Sequence, residues 1–373
     1  MIIGVPVEGS PSGGKVETRV ALAPETVRKL IKKNHQVLIE KGAGVLAGFP
    51  DEEYVREGAK LAERTDIHKA EIVCKVNRPG EKEILFMNPG SLVIACLEPH
   101  KNDGFFQKLA EVKVNSIAME LIPRTSRAQS MDALSSQANI AGYRAVIEAA
   151  SVYGSFFPMM MTSAGSAKPA RVAILGVGVA GLQAISTAKR IGAQVEAYDI
   201  RPEVREQIIS VGAKPIDLDI GEVGTGAGGY AKELSESAKA KQQELLTEKL
   251  KKFDVIITTA NIPGRKSPIL LTAEAVKGMK PGSVVVDMAA ANGGNCPLTK
   301  ADKIVTKDGV TFVGITNYAS MMPNVASRFY GMNLYHLLNL LVDEKTQKLN
   351  LNLEDDIIAA SLVTFNGEIR KRS

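Results

Sequence analysis

The segment Gly176-Val177-Gly178-Val179-Ala180-Gly181 constrains this chain more than any other feature of its 373 residues. It follows the apolar run Arg171–Leu175 (RVAIL) and opens a helix-like stretch reaching about Ile191. A lone GxGxxG is a weak signal, but between a strand and a helix it has a mechanical meaning. Gly176 permits a tight turn, Gly178 lets a pyrophosphate approach the backbone, and Gly181 lets the helix lie close to the sheet. The free amides at the helix start, from Val179 onward, present partial positive charge to an anion. Asp199 closes the next strand-like run, Gln194–Tyr198, eighteen residues past Gly181. A carboxylate there accepts from the adenosine ribose hydroxyls and repels a 2′-phosphate, which favours NAD(H) over NADP(H). Ile200 and Arg201 follow directly and complete this candidate site. Arg201 argues the other way, since a guanidinium can pair with a 2′-phosphate; the carboxylate is given more weight.

At roughly 150 residues per domain, the length fits two domains. Strand-like runs at Ile2–Val7, Gln36–Glu40, Glu71–Val76, Leu92–Cys96 and Lys113–Met119 precede the glycine motif, with a helix starting near Pro24. Further runs follow at Val255–Thr259, Val284–Asp287 and Val310–Gly314. Alternating strands and helices predict α/β architecture, with parallel sheets covered on both faces. A long helix is expected from about Ser130, with Met131, Leu134, Ala138, Ala141 and Ala145 on its apolar face. Asp132, Ser135, Ser136, Asn139 and Tyr143 form a polar stripe that is either solvated or lines a cleft. The tail, with a Leu-rich helix at Met332–Val342, lacks a linker and is expected to rejoin the first domain. The predicted domains are therefore residues 1–136 plus 325–373, and residues 137–324. Within the second, 221–238 reads as a mobile loop, because GEVGTGAGG holds five glycines in nine residues and loses much entropy on ordering.

Composition excludes several function classes. The 46 Lys and Arg against 41 Asp and Glu leave a net charge of +5. The charges interleave, as over Lys239–Lys252, which describes solvated faces and argues against a nucleic-acid partner. Ala149–Ala167 carries no charge but holds Pro158, two glycines, four serines and a threonine, so direct membrane insertion is not expected. Cys74, Cys96 and Cys296 show neither disulfide nor metal-ligand spacing. They suit a reducing, cytoplasmic setting, and no metal is expected.

With these blocks in view, the chain resembles the NAD(H)-binding domain of proton-translocating transhydrogenases over nearly its whole length. The most specific block is PRTSRAQSMDALSSQANIAGYRAV, Pro123–Val146; GVGVAGLQAI, GTGAGGYAKE, TTANIPGRKSP and VVVDMAAANGGNCP support it. The resemblance implies two Rossmann-like, doubly wound domains with the nucleotide in the cleft between them, in a dimeric subunit. It also implies that Arg124, Gln129, Asp132 and Ser135 border the nicotinamide, with Ser126 and Arg127 in the same segment. Gln129 can pair with the carboxamide, while Arg124 and Asp132 can hold one another. The glycine loop would fold over the nucleotide, bringing Gly229 and Tyr230 toward it, with Gln242 and Asn261 nearby. The implied partners are a second copy of the chain, an NADP(H)-binding subunit and a transmembrane proton-channel subunit. The implied location is the cytoplasmic face of the inner membrane, as a peripheral subunit.

Alanine dehydrogenase is the related alternative. Arg19 and Lys75 stand where that enzyme binds its keto acid, but Cys96 aligns with its histidine and Ala291 with its aspartate. His100 lies close enough to Cys96 that a shifted alignment gives it a role. Amine oxidation needs a group to take a proton, whereas exchange between two nicotinamides needs only ring alignment. The reading is hydride transfer from NADH on this chain to NADP⁺ on a partner. A third reading is a non-catalytic NAD(H)-sensing module.

Overall fold

The computed structural model describes residues 1–9, 16–101, 103–221, 234–261 and 264–370. Two compact units divide the chain: Met1–Gln137 with Ala319–Ser373, and Ala138–Tyr318.

In the first unit the strands are β1 (Ile2–Val5), β2 (Gln36–Glu40), β3 (Lys60–Ala62), β4 (Ile72–Asn77), β5 (Leu92–Cys96) and β6 (Asn115–Ala118). They form a parallel sheet in the order β3-β2-β1-β4-β5-β6, the doubly wound Rossmann order. Successive residues face opposite layers: Ile72, Cys74 and Val76 enter one apolar cluster, while Val73 enters another with Val93 and Ala95. Burial on both faces explains why these strands read as continuous apolar runs. Gly4 is required in β1, because a Cβ there would lie 2.3 Å from the carbonyl oxygen of Ile67.

The second unit begins within the helix Ala133–Val152 and continues through a hairpin of β7 (Met160–Thr162) and β8 (Gly165–Ala167). Its sheet contains β9 (Arg171–Leu175), β10 (Gln194–Tyr198), β11 (Lys214–Pro215), β12 (Val255–Thr258), β13 (Val284–Asp287), β14 (Ile304–Lys307) and β15 (Val310–Val313). The order is β11-β10-β9-β12-β13-β15-β14, parallel except for the edge strand β14. Val172, Ile174, Val255 and Ile257 pack on one face; Ala173, Leu175 and Ile256 pack on the other. The strand order reverses between β9 and β12, the switch point where open α/β sheets bind ligands.

The tail completes the first unit's sheet. β16 (Leu362–Phe365) lies antiparallel to β6, and β17 (Glu368–Ile369) pairs with β16. The helix Pro323–Leu341 buries Leu334, Leu337, Leu338 and Leu341 in the first unit's core. The return to this unit falls at Ala319, ahead of the expected 325, because Ser320 is already bonded to the amide and hydroxyl of Thr18.

Three local expectations need correction. The helix expected from Ser130 begins at Ala133, after a 3-10 segment Ser126–Met131. In the second unit its packed face keeps Ala141 and Ala145 of the expected stripe but also takes in Val146 and Ala149, and Gly142 lies so close to the next helix that a Cβ there would be 2.1 Å from the carbonyl of Ala180. The expected loop 221–238 ends early. Leu234 and Ala238 are buried against Ile220, and the helix Glu236–Leu250 starts with the Ser235 hydroxyl accepting from the Ala238 amide. The rest of that loop, including Gly229 and Tyr230, lies outside the described residues.

Candidate nucleotide-binding site

The glycine turn joins β9 to the helix Val179–Arg190, at the C-terminal edge of the second sheet. Gly176 has φ +91°, in the left-handed region, and a Cβ there would meet the backbone of Ala260 at 2.9 Å. Its carbonyl accepts from the hydroxyl of Thr259 at 2.8 Å. Gly181 stands on the helix with its Cβ position 2.2 Å from the oxygen of Gly176, so only glycine lets turn and helix meet. Gly178 is different: nothing lies within 4 Å of where its Cβ would be. In a glycine turn of this kind, that position is the one that lets a pyrophosphate approach the backbone and the helix amides.

Asp199, at the end of β10, ties that strand to the turn. Its Oδ2 accepts from the Val177 amide at 2.7 Å and from Arg201 Nη2 at 2.9 Å. Its Oδ1 accepts from the Arg201 amide and Nε, each at 2.9 Å. Hydrogen bonding and attraction by Asp199 raise the Arg201 pKa, so the guanidinium stays charged. Ile200 packs beside Ile220, Leu234 and Ala238. Thr259 escaped the sequence reading. Its signal was its place just after β12, the strand flanking β9 across the switch point.

Gln242 is buried on the helix Glu236–Leu250, where its Nε2 donates to the Tyr198 hydroxyl at 2.8 Å. Burial in the first place raises the Tyr198 pKa, so that hydroxyl remains a donor as well as an acceptor. Asn261 is exposed, and its Oδ1 accepts from Asn292 Nδ2 at 2.9 Å.

In the first unit, Asp132 accepts from the Ser135 amide at 2.9 Å and hydroxyl at 2.6 Å. It caps the helix Ala133–Val152 in the manner of an N-terminal Asp. That commitment replaces the expected pairing of Asp132 with Arg124. Arg124, Ser126 and Gln129 are exposed in the preceding segment, and the Gln129 side chain makes no hydrogen bond among the described residues. Arg127 grips Asp355 at 2.7 and 2.8 Å and also pairs with Asp356, which fastens the segment to the tail.

Arg19 and Lys75 are both internally bonded. Arg19 forms a two-pronged pair with Glu17, 2.8 Å on each side, and donates to Gln137 at 2.9 Å. Burial alone would raise the Glu17 pKa, but Arg19 overcomes it and brings it to about 2. Lys75 is 1% exposed, with Nζ 3.5 Å from both Glu8 and Glu83. At Cys96, burial and then Glu120 push the thiol pKa far above its usual range, so it is no base at neutral pH. Ala291, in a 3-10 turn, has no group to offer, and His100 sits in an exposed turn. Among the described residues, no cluster of three or more His, Cys, Asp and Glu could hold a metal.

A glycine turn at a switch point, a helix N-terminus facing open space and a carboxylate ending the next strand define a dinucleotide-binding α/β protein of the Rossmann type. Comparison with known proteins is more specific. Residues 4–141 match the N-terminal domain of alanine dehydrogenase/PNT and residues 145–372 its C-terminal domain. The chain belongs to the alanine dehydrogenase/PNT family. It is 45% identical to NAD(P) transhydrogenase subunit alpha of Haemophilus influenzae, covering 99% of this chain and 71% of that one. It is equally, 45%, identical to the first of the polypeptides that make up NAD(P) transhydrogenase subunit alpha in Rhodospirillum rubrum, covering 99% and 97%. The crystal structure of a transhydrogenase from Sinorhizobium meliloti superposes with TM-score 0.90 at 42% identity, covering 99% and 100% of the two chains. An L-alanine dehydrogenase structure is more distant, with TM-score 0.81 at 27% identity over 99% and 96%.

Proposed function

We propose that this chain is the NAD(H)-binding subunit of a proton-translocating transhydrogenase, working through hydride transfer to NADP⁺ held by a partner subunit. The observation that carries the reading is the glycine turn with open space above Gly178 and Asp199 at the end of the neighbouring strand. The likeness to transhydrogenase alpha subunits, greater than that to alanine dehydrogenase, supports it.

Bound NADH would supply the hydride; the chain's own residues bind and orient. The Gly178 backbone and the helix amides take the pyrophosphate, and the Asp199 region takes the adenosine ribose. Gln129, with its amide unengaged among the described residues, holds the carboxamide. Asp132 and Ser135 fix the start of the helix behind that segment. Arg127, gripped by Asp355, serves by anchoring the segment rather than by reaching the nucleotide. A site with positioning groups suits exchange between nicotinamides, which moves no substrate proton. The protonated thiol of Cys96 and the bare side chain of Ala291 agree with that chemistry, because neither can act as the base of an amino-acid dehydrogenase.

Among the described residues, no helix is long and apolar enough to cross a membrane. On the proposed reading, proton movement belongs to transmembrane partner subunits, with this chain docked peripherally on the cytoplasmic face. The hairpin β7–β8 exposes Met161 at 75%, and Phe156 and Met159 before it are also exposed. This apolar projection is suited to burial against a second copy in a homodimer.

The experiment is NADH binding by nucleotide fluorescence, followed by NADH oxidation with pyruvate and ammonium. The expected result is binding without turnover, and hydride transfer once an NADP(H)-binding subunit is added. Steady turnover with pyruvate and ammonium would make the chain an amino-acid dehydrogenase. Binding with no transfer to a matched partner would make it a sensing module.

A further inference from the structure

The acceptors of Asp199 are filled. The Arg201 amide and Nε meet Oδ1, while the Val177 amide and Arg201 Nη2 meet Oδ2. A carboxylate offers about four lone-pair sites, so a ribose diol gains acceptors here only as Arg201 shifts. The pair lies on a cavity of about 220 Å³ beyond the ends of β10 and β11. Arg205 and Asp217, paired at 3.2 Å, line the same cavity. Two cations thus face two anions, and the charge is balanced.

We propose that nucleotide choice is set by Asp199 and Arg201 together, and that Arg201 is a latent 2′-phosphate site masked by Asp199. With the aspartate present, the guanidinium fork is already satisfied, and an incoming 2′-phosphate meets a carboxylate that repels it. Neutral ribose hydroxyls can instead donate to the carboxylate as the arginine yields. Remove the carboxylate and the balance changes to one net positive charge. Arg201 Nη2 remains tethered to the Val177 carbonyl at 3.3 Å, which keeps the guanidinium at the ribose position. A planar guanidinium so held matches phosphate oxygens two at a time. One substitution should then unmask the site, because the arginine is already in place. This inference rests on the reading that the site binds NAD(H).

The test uses the full chain and measures NADH and NADPH binding by fluorescence, with circular dichroism and thermal unfolding as folding controls. Asp199→Asn should weaken NADH and tighten NADPH, each by about tenfold or more, the scale of hydrogen bonds to charged groups. Adding Arg201→Gln to Asp199→Asn should abolish the NADPH gain. Asp199→Ser supplies a second variant that sets no amide donor against the Val177 N–H, in case the asparagine disturbs folding. Wild-type NADH binding with no NADPH gain in the folded Asp199 variants overturns this inference alone. An NADPH gain that survives Arg201→Gln also overturns it. A wild-type chain that binds neither nucleotide overturns the NAD(H) reading, and this inference with it.

Discussion

Gly178→Ala separates binding from stability. At φ −82° and ψ −162° the backbone is extended, a conformation alanine adopts readily, and no atom lies within 4 Å of the new methyl. Replacing glycine at such a position stabilises a fold by about 0.4–1 kcal/mol through the unfolded chain. The methyl nevertheless projects into the space assigned to the pyrophosphate. Displacing the phosphates from the helix amides forfeits hydrogen bonds to a charged group, each worth about 1.5–3 kcal/mol. Losing one such bond raises the NADH Kd by about tenfold or more. Gly181→Ala is the companion. Its methyl would lie 2.2 Å from the Gly176 oxygen, so helix or turn must move by about 1 Å to reach ordinary C···O contact. That movement strains the Val177–Asp199 and Thr259–Gly176 hydrogen bonds, at 2.7 and 2.8 Å. Overpacking of this kind costs about 1–3 kcal/mol. Urea unfolding and NADH titration of both variants provide the assay. Gly178→Ala should keep or gain stability while losing affinity, and Gly181→Ala should lose both. A Gly178→Ala chain that binds NADH like wild type would refute the assignment of the pyrophosphate to this turn.

Gln129→Asn shortens the group that holds the carboxamide, so it should slow hydride transfer to the NADP(H)-binding partner more than it weakens NADH binding; a large loss of binding with unchanged transfer contradicts that role. Glu17 has its pKa lowered from 4.5 to about 2 in the folded chain, so its stabilising contribution is complete above 4.5 and is lost as pH falls toward 2. At about 1.36 kcal/mol per pKa unit the contribution is about 3 kcal/mol. Glu17→Gln should therefore lose about 3–5 kcal/mol at pH 7, since it also strands a buried arginine, and the gap from wild type should narrow as pH falls from 4.5 toward 2. Denaturation at several pH values checks this; a gap independent of pH would mean Glu17 is not ionised in the fold.

Much of the fold was legible because its strands are short apolar runs separated by turns. Arg171–Leu175 and Leu92–Cys96 are strands with the bounds read from sequence, as burial on both sheet faces leaves little ambiguity. The glycine turn was legible for a related reason, since each of its three glycines has a distinct steric task. Side-chain pairing was less accessible. Asp132 and Arg124 have the charges to hold one another, yet Asp132 accepts from the amide and hydroxyl of Ser135 and becomes a cap. The hydrogen bond of Gln242 to Tyr198, on a strand 44 positions away, was not read from the sequence. Periodicity cannot report such distant partners. The long helix starts three residues later than expected, because Ser126–Met131 form a 3-10 segment ahead of it, and periodicity does not encode the close approach of Gly142 to Ala180.

The antiparallel pairing of β16 with β6 has a consequence for how the chain is made. β6 is buried along its whole length, yet its outer partner leaves the ribosome more than two hundred residues later. The whole second unit is synthesised in between. During that interval the first unit exposes an apolar strand edge, the kind of template on which other chains can add. The second unit, continuous in sequence, can close by itself in the meantime. Polypeptides stopped before Leu362 would retain the glycine turn but leave β6 open, and should therefore aggregate through one half while the other half is already folded.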